Sequence, residues 1–217
     1  MIINFTAETP LSRYHLLTQT ITPRPIAWVL SENDPVIQSD ANTQATTTAA
    51  SECNLAPFSF FNALCSDPPL LVMSIGKKAD GRAKDTRHNM LSGRDFVVHI
   101  PSVSQADTVS QSAATLDYGE SEVLASQLSL VEFPDCPVPR VADCHVAYHC
   151  RLYDVHEVGP QQQAIIYAEV VQLYMSDAVA VEADGRYIVD TQVLDPLARL
   201  GLSAYAKLGQ SFNIQRP

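Results

Sequence analysis

Apolar positions in this chain fall into short runs separated by turn residues. Residues 26–30 (I-A-W-V-L) follow Pro23 and Pro25, which bias Thr22 and Arg24 away from helix, so a buried strand is predicted there. Residues 58–61 and 70–75 form two more runs rich in aromatic and branched side chains. Between them Asp67-Pro68-Pro69 is turn chemistry. Residues 96–100 read as a further strand. In residues 145–154, Val146, Tyr148, Cys150 and Leu152 alternate with His145, His149 and Arg151, the period of a half-buried strand. Residues 164–175 are apolar on both faces apart from Glu169 and Gln172, which predicts a strand in the middle of a barrel wall. Asp184-Gly185 ahead of residues 186–189 signals a hairpin.

Helical signals are short. Residues 11–20 carry Tyr14, Leu16 and Leu17 behind Ser12 as a cap. Asp80-Gly81 turns the chain into residues 84–91, where Asp85 stands at the expected N-cap and Gly93 just past the end. Residues 102–127 space Val109, Leu116, Val123 and Leu124 irregularly among Ser, Ala, Gln and acidic residues, which predicts short helices across one face. Residues 34–50, polar and Thr-rich, predict an exposed mobile loop, and residues 133–140, with three prolines, a connector. Many strands and few long helices favour an antiparallel barrel over a parallel α/β sheet. The absence of G-x-G-x-x-G disfavours a Rossmann domain.

Composition bounds the function. At 217 residues with 46% apolar composition, residues 1–217 are expected to bury one core as a single domain. Lys plus Arg total 14 against 24 Asp plus Glu, a net charge of -10, which excludes a general electrostatic footprint for nucleic acid or anionic lipid. A local basic pocket stays compatible with it. No run approaches the roughly 20 apolar residues of a membrane span, and the first residues lack a secretory pattern, so a cytoplasmic location is expected. The cysteines are odd in number without a C-x-x-C pair, which reads as free thiols rather than disulfides or structural zinc. No metal site is expected, although His145 and His149 would share a strand face.

Candidate chemistry concentrates in residues 54–89. Lys84 supplies a point charge, Thr86 a hydroxyl, and a helix opening after Asp85 its outward N–H groups, a set suited to phosphate. A carboxylate beside phosphate repels it, so Asp85 is assigned to capping its own helix, worth about 1 kcal/mol. Asn54-Leu55-Ala56-Pro57 offers backbone groups beside small side chains: Pro57 fixes their direction and Ala56 admits a planar ligand. Ser59 and Asn62, in the register of a strand from Phe58, add a hydroxyl and an amide. Phe58, Phe60, Phe61 and Trp28 could cover a flat ring, but aromatics in strands read first as core. Phosphate, ring edge and flat apolar face are together the demands of a flavin mononucleotide.

These segments resemble a known family. P-R-P-I-A at 23–27, N-L-A-P-F-S-F-F-N-A at 54–63, S-D-P-P at 66–69 and K-D-T-x-x-N at 84–89 are similar to the flavin reductase-like, FMN-binding split-barrel proteins. C-R-L at 150–152, L-D-P-L-A-R-L-G at 194–201, Tyr205 and the closing Arg216-Pro217 extend the likeness over essentially the whole chain. The resemblance implies a mainly β fold, a six-stranded antiparallel split β-barrel with peripheral helices. It implies a homodimer with FMN near the subunit boundary, no catalytic side chain, and cofactor contacts from Asn54, Ala56, Pro57, Ser59, Asn62, Lys84 and Thr86, with Arg24, Asn89, Arg199 and Tyr205 as further members. The implied activity is an NAD(P)H-dependent flavin reductase, with NADH or NADPH passing hydride to the flavin. Alternatives on the same barrel are a non-enzymatic, flavoredoxin-like FMN electron carrier and an interaction protein that has lost its ligand. Two departures from the family pattern stand out: the long Thr-rich segment 34–50, and Gly201-Leu202-Ser203 where many relatives have a double glycine.

Overall fold

The computed structural model describes residues 1–34 and 49–215, so nearly all of the loop expected at 34–50 lies outside the described residues. The chain opens with helix α1 (Pro10–Thr20). Its N-cap is Thr9, whose hydroxyl accepts the Ser12 N–H at 3.1 Å, and Pro10 fills the first helical position. Ser12, the expected cap, is therefore inside the helix.

Strands β1 (Ala27–Glu32), β2 (Cys53–Phe58), β3 (Phe61–Ser66) and β4 (Pro69–Ile75) follow, then helix α2 (Asp85–Leu91) and β5 (Phe96–Ile100). Short helices α3 (Ala106–Gln111) and α4 (Glu122–Ala125) and a small pair, β6 (Leu130–Val131) with β7 (Arg140–Val141), lead to the long strands β8 (Val146–Val158) and β9 (Gln163–Met175). The hairpin β10 (Ala180–Ala183) and β11 (Arg186–Val189) turns at Asp184-Gly185, both with positive φ as such a turn requires. A one-turn helix α5 (Thr191–Leu194) and a last pair, β12 (Ala198–Arg199) with β13 (Tyr205–Ala206), complete it.

Seven strands form one antiparallel sheet in the order β2-β1-β5-β8-β9-β4-β3. The edge strands β2 and β3 are consecutive in sequence and joined by Ser59-Phe60, so the chain itself links the two edges. The Ser74 N–H donates to the Phe60 carbonyl at 2.9 Å across that corner. Counting β2 and β3 as one bent ribbon gives the six-stranded split barrel expected. The strand expected at 58–61 is broken at this corner: Phe58 ends β2 and Phe61 begins β3. Residues 54–57, read only as a backbone edge, are β-strand, with Pro57 opposite Trp28. Proline is tolerated because β2 has no hydrogen-bonded strand on its far side among the described residues.

Two buried clusters use both faces of β1. Ala27 and Val29 join Met73, Phe96, Val98 and Ile166 in one, to which α2 contributes Met90. Trp28 and Leu30 join Leu55, Val109, Val123 and Leu197 in the other, beneath α3, α4 and the connectors. The alternation expected over residues 145–154 fails at a bulge between His149 and Cys150. An extra residue shifts the phase, so both are buried, and His149 Nε2 lies 2.6 Å from Asp95 Oδ2. All five cysteines are free, and burial beside Glu32 and Glu52 pushes the Cys53 thiol up to about 12. Among the described residues, no helix is long and apolar enough to cross a membrane.

Two buried polar contacts fasten this frame. His99 is fully buried; its Nδ1 meets the Trp28 carbonyl and its Nε2 accepts the Val141 N–H, both at 3.0 Å, so the ring is neutral with its proton on Nδ1. Burial holds it at about 4, below the ordinary 6.5, against the Trp28 bond that favours the charged form. At α2, the N-cap is Lys84 with no side-chain cap bond, and Asp85 is the first helical residue. Asp85 pairs instead with Lys78 at 2.8 Å, their side chains 10% and 8% exposed. The capping role expected of Asp85 is thus replaced by a buried ion pair.

Replacing His99 by Phe strands a buried donor and a buried acceptor and should cost about 2–4 kcal/mol in denaturant unfolding. The unfolded chain protonates this histidine before the folded one does. Its contribution to stability should therefore be full above pH 6.5 and disappear as pH falls through about 4, in a wild-type profile that His99→Phe flattens. Asp85→Asn should cost about 3–5 kcal/mol by leaving Lys78 buried without its partner, and adding Lys78→Met should recover most of it. A loss of only about 1 kcal/mol, not recovered by the second change, would return Asp85 to a capping role.

Candidate functional site

Three neighbouring cavities, each sharing lining residues with the next, lie where α1, α2, α3 and the last strand pair meet the Ser59-Phe60 corner. The first, about 70 Å³, lies against the opening of α2. Asn54, Ala56, Pro57, Lys84 and Thr86, all expected site residues, line it. The second, about 450 Å³, shares Pro57, Lys84 and Ala113 with the first and adds Phe58, Ser59, Phe60, Arg199 and Tyr205. The third, about 160 Å³, shares Tyr14, Ser59 and Arg199 with the second and reaches Arg24.

Local folding explains the first cavity. A buried lattice fixes α2 to the strands: Asn54 Nδ2 donates to Thr86 Oγ1 at 2.8 Å, and Asn89 Nδ2 donates to Ser31 Oγ at 3.0 Å and Asn33 Oδ1 at 3.1 Å. Because the Thr86 oxygen accepts from Asn54, its own proton is left to donate elsewhere. The amides of Asp85, Thr86 and Arg87 lack intrahelical acceptors, as at any helix start. Lys78 is neutralised by Asp85, whereas Lys84 has no ion-pair partner among the described residues and reaches solvent, its ammonium 5.7 Å over the Phe58 ring. Surrounding protein lowers the Lys84 ammonium from its ordinary value, Lys78 pushes the same way, and Asp85 opposes them. The cavity therefore offers one unneutralised cation, a hydroxyl donor and main-chain N–H groups, a set that fits a phosphate.

Other expected residues have different surroundings. Asn89 is buried behind this cavity and holds α2 in place. Arg24, 6% exposed, donates from Nη1 to the Thr18 and Ile21 carbonyls and from Nη2 to the Leu200 carbonyl, tying the end of α1 to the β12–β13 turn. Asn62 is exposed on β3, its side-chain oxygen accepting the Ala63 N–H, and it lines none of the three cavities. Of the aromatics considered as ring cover, Phe58 and Phe60 line the large cleft, while Trp28 is fully buried and donates to Ser112 Oγ at 2.8 Å.

Sequence reasoning missed Lys78, Glu122 and the segment 112–116, all of which line the small cavity. Glu122 is buried and its Oε2 accepts the Leu55 N–H at 2.9 Å. Burial raises its carboxyl above the ordinary range, with Asp85 adding to the effect and the Leu55 bond and Lys78 opposing it. The small-residue run Ser112-Ala113-Ala114 was the one readable signal of a close approach there. Lys78 and Glu122 reach the site through tertiary contacts alone.

Comparison with known proteins agrees with this geometry. A family model described as "Flavin reductase like domain" matches residues 22–189. The uncharacterized protein YwrF of Bacillus subtilis is 34% identical over 208 residues, covering 94% of this chain and 93% of that protein. The crystal structure of nitrilotriacetate monooxygenase component B from Bacillus cereus superposes with a TM-score of 0.82 at 30% identity, covering 99% of this chain and 98% of that one. The Pseudomonas fluorescens 2-nitrobenzoate 2-nitroreductase gives a TM-score of 0.82 at 27% identity, covering 100% and 96%. The cavities, the split barrel and the match over most of its length make this chain a member of the flavin reductase-like family.

Proposed function

We propose that the protein is an FMN-dependent oxidoreductase that takes hydride from NADH or NADPH. The observation carrying this reading is the unneutralised Lys84 where the small cavity meets the large cleft, beside a second lysine that already has its carboxylate. A phosphate at Lys84 and Thr86 leaves the adjoining cleft of about 450 Å³ for a ring system. The names of the two solved relatives, a monooxygenase component and a nitroreductase, support redox work.

Bound FMN would supply the two-electron chemistry, accepting hydride from the nicotinamide and handing electrons to a second acceptor. The chain's part is binding and orientation. Lys84 and Thr86 would hold the phosphate, with Asn54 keeping the Thr86 hydroxyl oriented. Ala56 and Pro57 would offer main-chain groups to the ring edge, and Phe58 and Phe60 apolar cover. No side chain is assigned a proton-transfer step, since hydride transfer does not require one. A homodimer belongs to this reading.

Purified protein should show flavin absorbance or acquire it on titration with FMN, and should oxidise NADH or NADPH with FMN present. Flavin bound without turnover would make it a carrier, and refusal of flavin would end the reading. Lys84→Ala should weaken FMN by about 1.5–3 kcal/mol, tenfold or more, with unfolding unchanged. Equal affinities would remove Lys84 from the site.

A further inference from the structure

The third cavity contains a charge arrangement that flavin binding at Lys84 leaves unexplained. Arg24 and Arg199 face each other across an antiparallel bridge: the Arg24 N–H donates to the Arg199 carbonyl at 3.0 Å, and the Arg199 N–H to the Arg24 carbonyl at 2.9 Å. Residues paired this way project their side chains from the same face, and like charges there are destabilising. Neither arginine has a carboxylate partner among the described residues. Arg24 Nε reaches Ser59 Oγ at 3.4 Å and its remaining bonds are to carbonyls. Arg199 donates to the Ala204 carbonyl at 3.0 Å and to that of Leu202, and lies 4.5 Å over the Tyr205 ring. The carbonyls ending α1 give Arg24 a partial negative charge through the helix dipole but no carboxylate, and those around Arg199 supply hydrogen bonds alone. Burial lowers the Arg24 guanidinium from its ordinary range and Arg199 pushes the same way, against Tyr14.

Among the described residues, no acidic side chain lines the cleft of about 160 Å³ that both arginines border. It shares Tyr14, Ser59 and Arg199 with the large cleft and no lining residue with the cavity at α2. A chain of net charge -10 thus keeps two guanidiniums without a carboxylate partner among the described residues, in a cavity that Lys84 does not line. An anion placed there removes their mutual repulsion and gains charge-assisted hydrogen bonds from Arg199.

We propose that Arg24 and Arg199 form an anion subsite for the second redox substrate, holding the pyrophosphate of the nicotinamide dinucleotide while its nicotinamide enters the large cleft. This rests on the flavin reading above, and it moves Arg199 from the flavin to the donor. Arg24 also closes the end of α1, so Arg199 is the residue to vary.

In flavin-loaded protein, Arg199→Gln should raise KM for the nicotinamide dinucleotide at least tenfold. KM for the uncharged donor 1-benzyl-1,4-dihydronicotinamide should stay unchanged, and FMN affinity should stay within twofold of wild type. Inorganic pyrophosphate should compete with the dinucleotide in the wild type and lose that effect in the variant. A tenfold loss of FMN affinity in Arg199→Gln, or equal KM changes for both donors, would overturn the proposal. Benzoate competing where pyrophosphate does not would also overturn it, assigning the arginines to a carboxylated acceptor. Absence of turnover with either donor would sink the reductase reading and leave a flavin carrier, and the subsite would then be judged on thermal melting. Pyrophosphate should raise the wild-type melting temperature and leave that of Arg199→Gln unmoved; equal shifts in both would count against the subsite.

Discussion

The contact on which the site depends is the hydrogen bond from the Asn54 amide to the Thr86 hydroxyl, together with the Asn89 bonds to Ser31 and Asn33 behind it. These side chains are buried, where an unpaired amide costs far more than in water, so α2 has one satisfactory position against β1 and β2. Met90 adds apolar anchorage from the same helix. With α2 held there, its first turn borders the small cavity and Lys84 stands at the junction with the large cleft. Barrel closure at Ser59-Phe60 supplies the opposite wall.

Charge is sorted by position rather than by amount. Lys78 and Asp85 cancel as a buried pair, and the carboxyl of Glu122 is pushed toward its neutral form by burial, so Lys84 stays available in the small cavity. In the cavity bordered by α1 and the β12–β13 turn, Arg24 and Arg199 use carbonyls as acceptors and keep their charge. An overall acidic protein can in this way present two separate cationic points, one in each of two cavities that share no lining residue, without basic composition.

Patterns that depend on neighbours in sequence were legible. The alternation and apolar runs located β5, β8 and β9, and Asp184-Gly185 located the last hairpin, because turn chemistry and strand period are local properties. Motif spacing also brought Asn54, Ala56, Pro57, Lys84 and Thr86 into one cavity. What stayed hidden depends on distant partners. Asp85 has good N-cap chemistry, yet Lys78 arrives from the preceding turn and outbids a cap worth about 1 kcal/mol. A bulge at His149 reverses the side its alternation assigned, and residues 54–57, read only as a backbone edge, form a strand whose edge position accommodates Pro57. Asn89 and Arg24 carry groups suited to a ligand, and the hydrogen bonds by which they also hold the frame were not readable from their neighbours in sequence.

The most direct test is a crystal structure of the protein grown with FMN. The account predicts the phosphate against Lys84 Nζ and Thr86 Oγ1 in the small cavity, with the isoalloxazine in the cleft bounded by Pro57, Phe58 and Ser59. A flavin phosphate seated on Arg24 and Arg199, or elsewhere on the barrel with the α2 cavity empty, would contradict it.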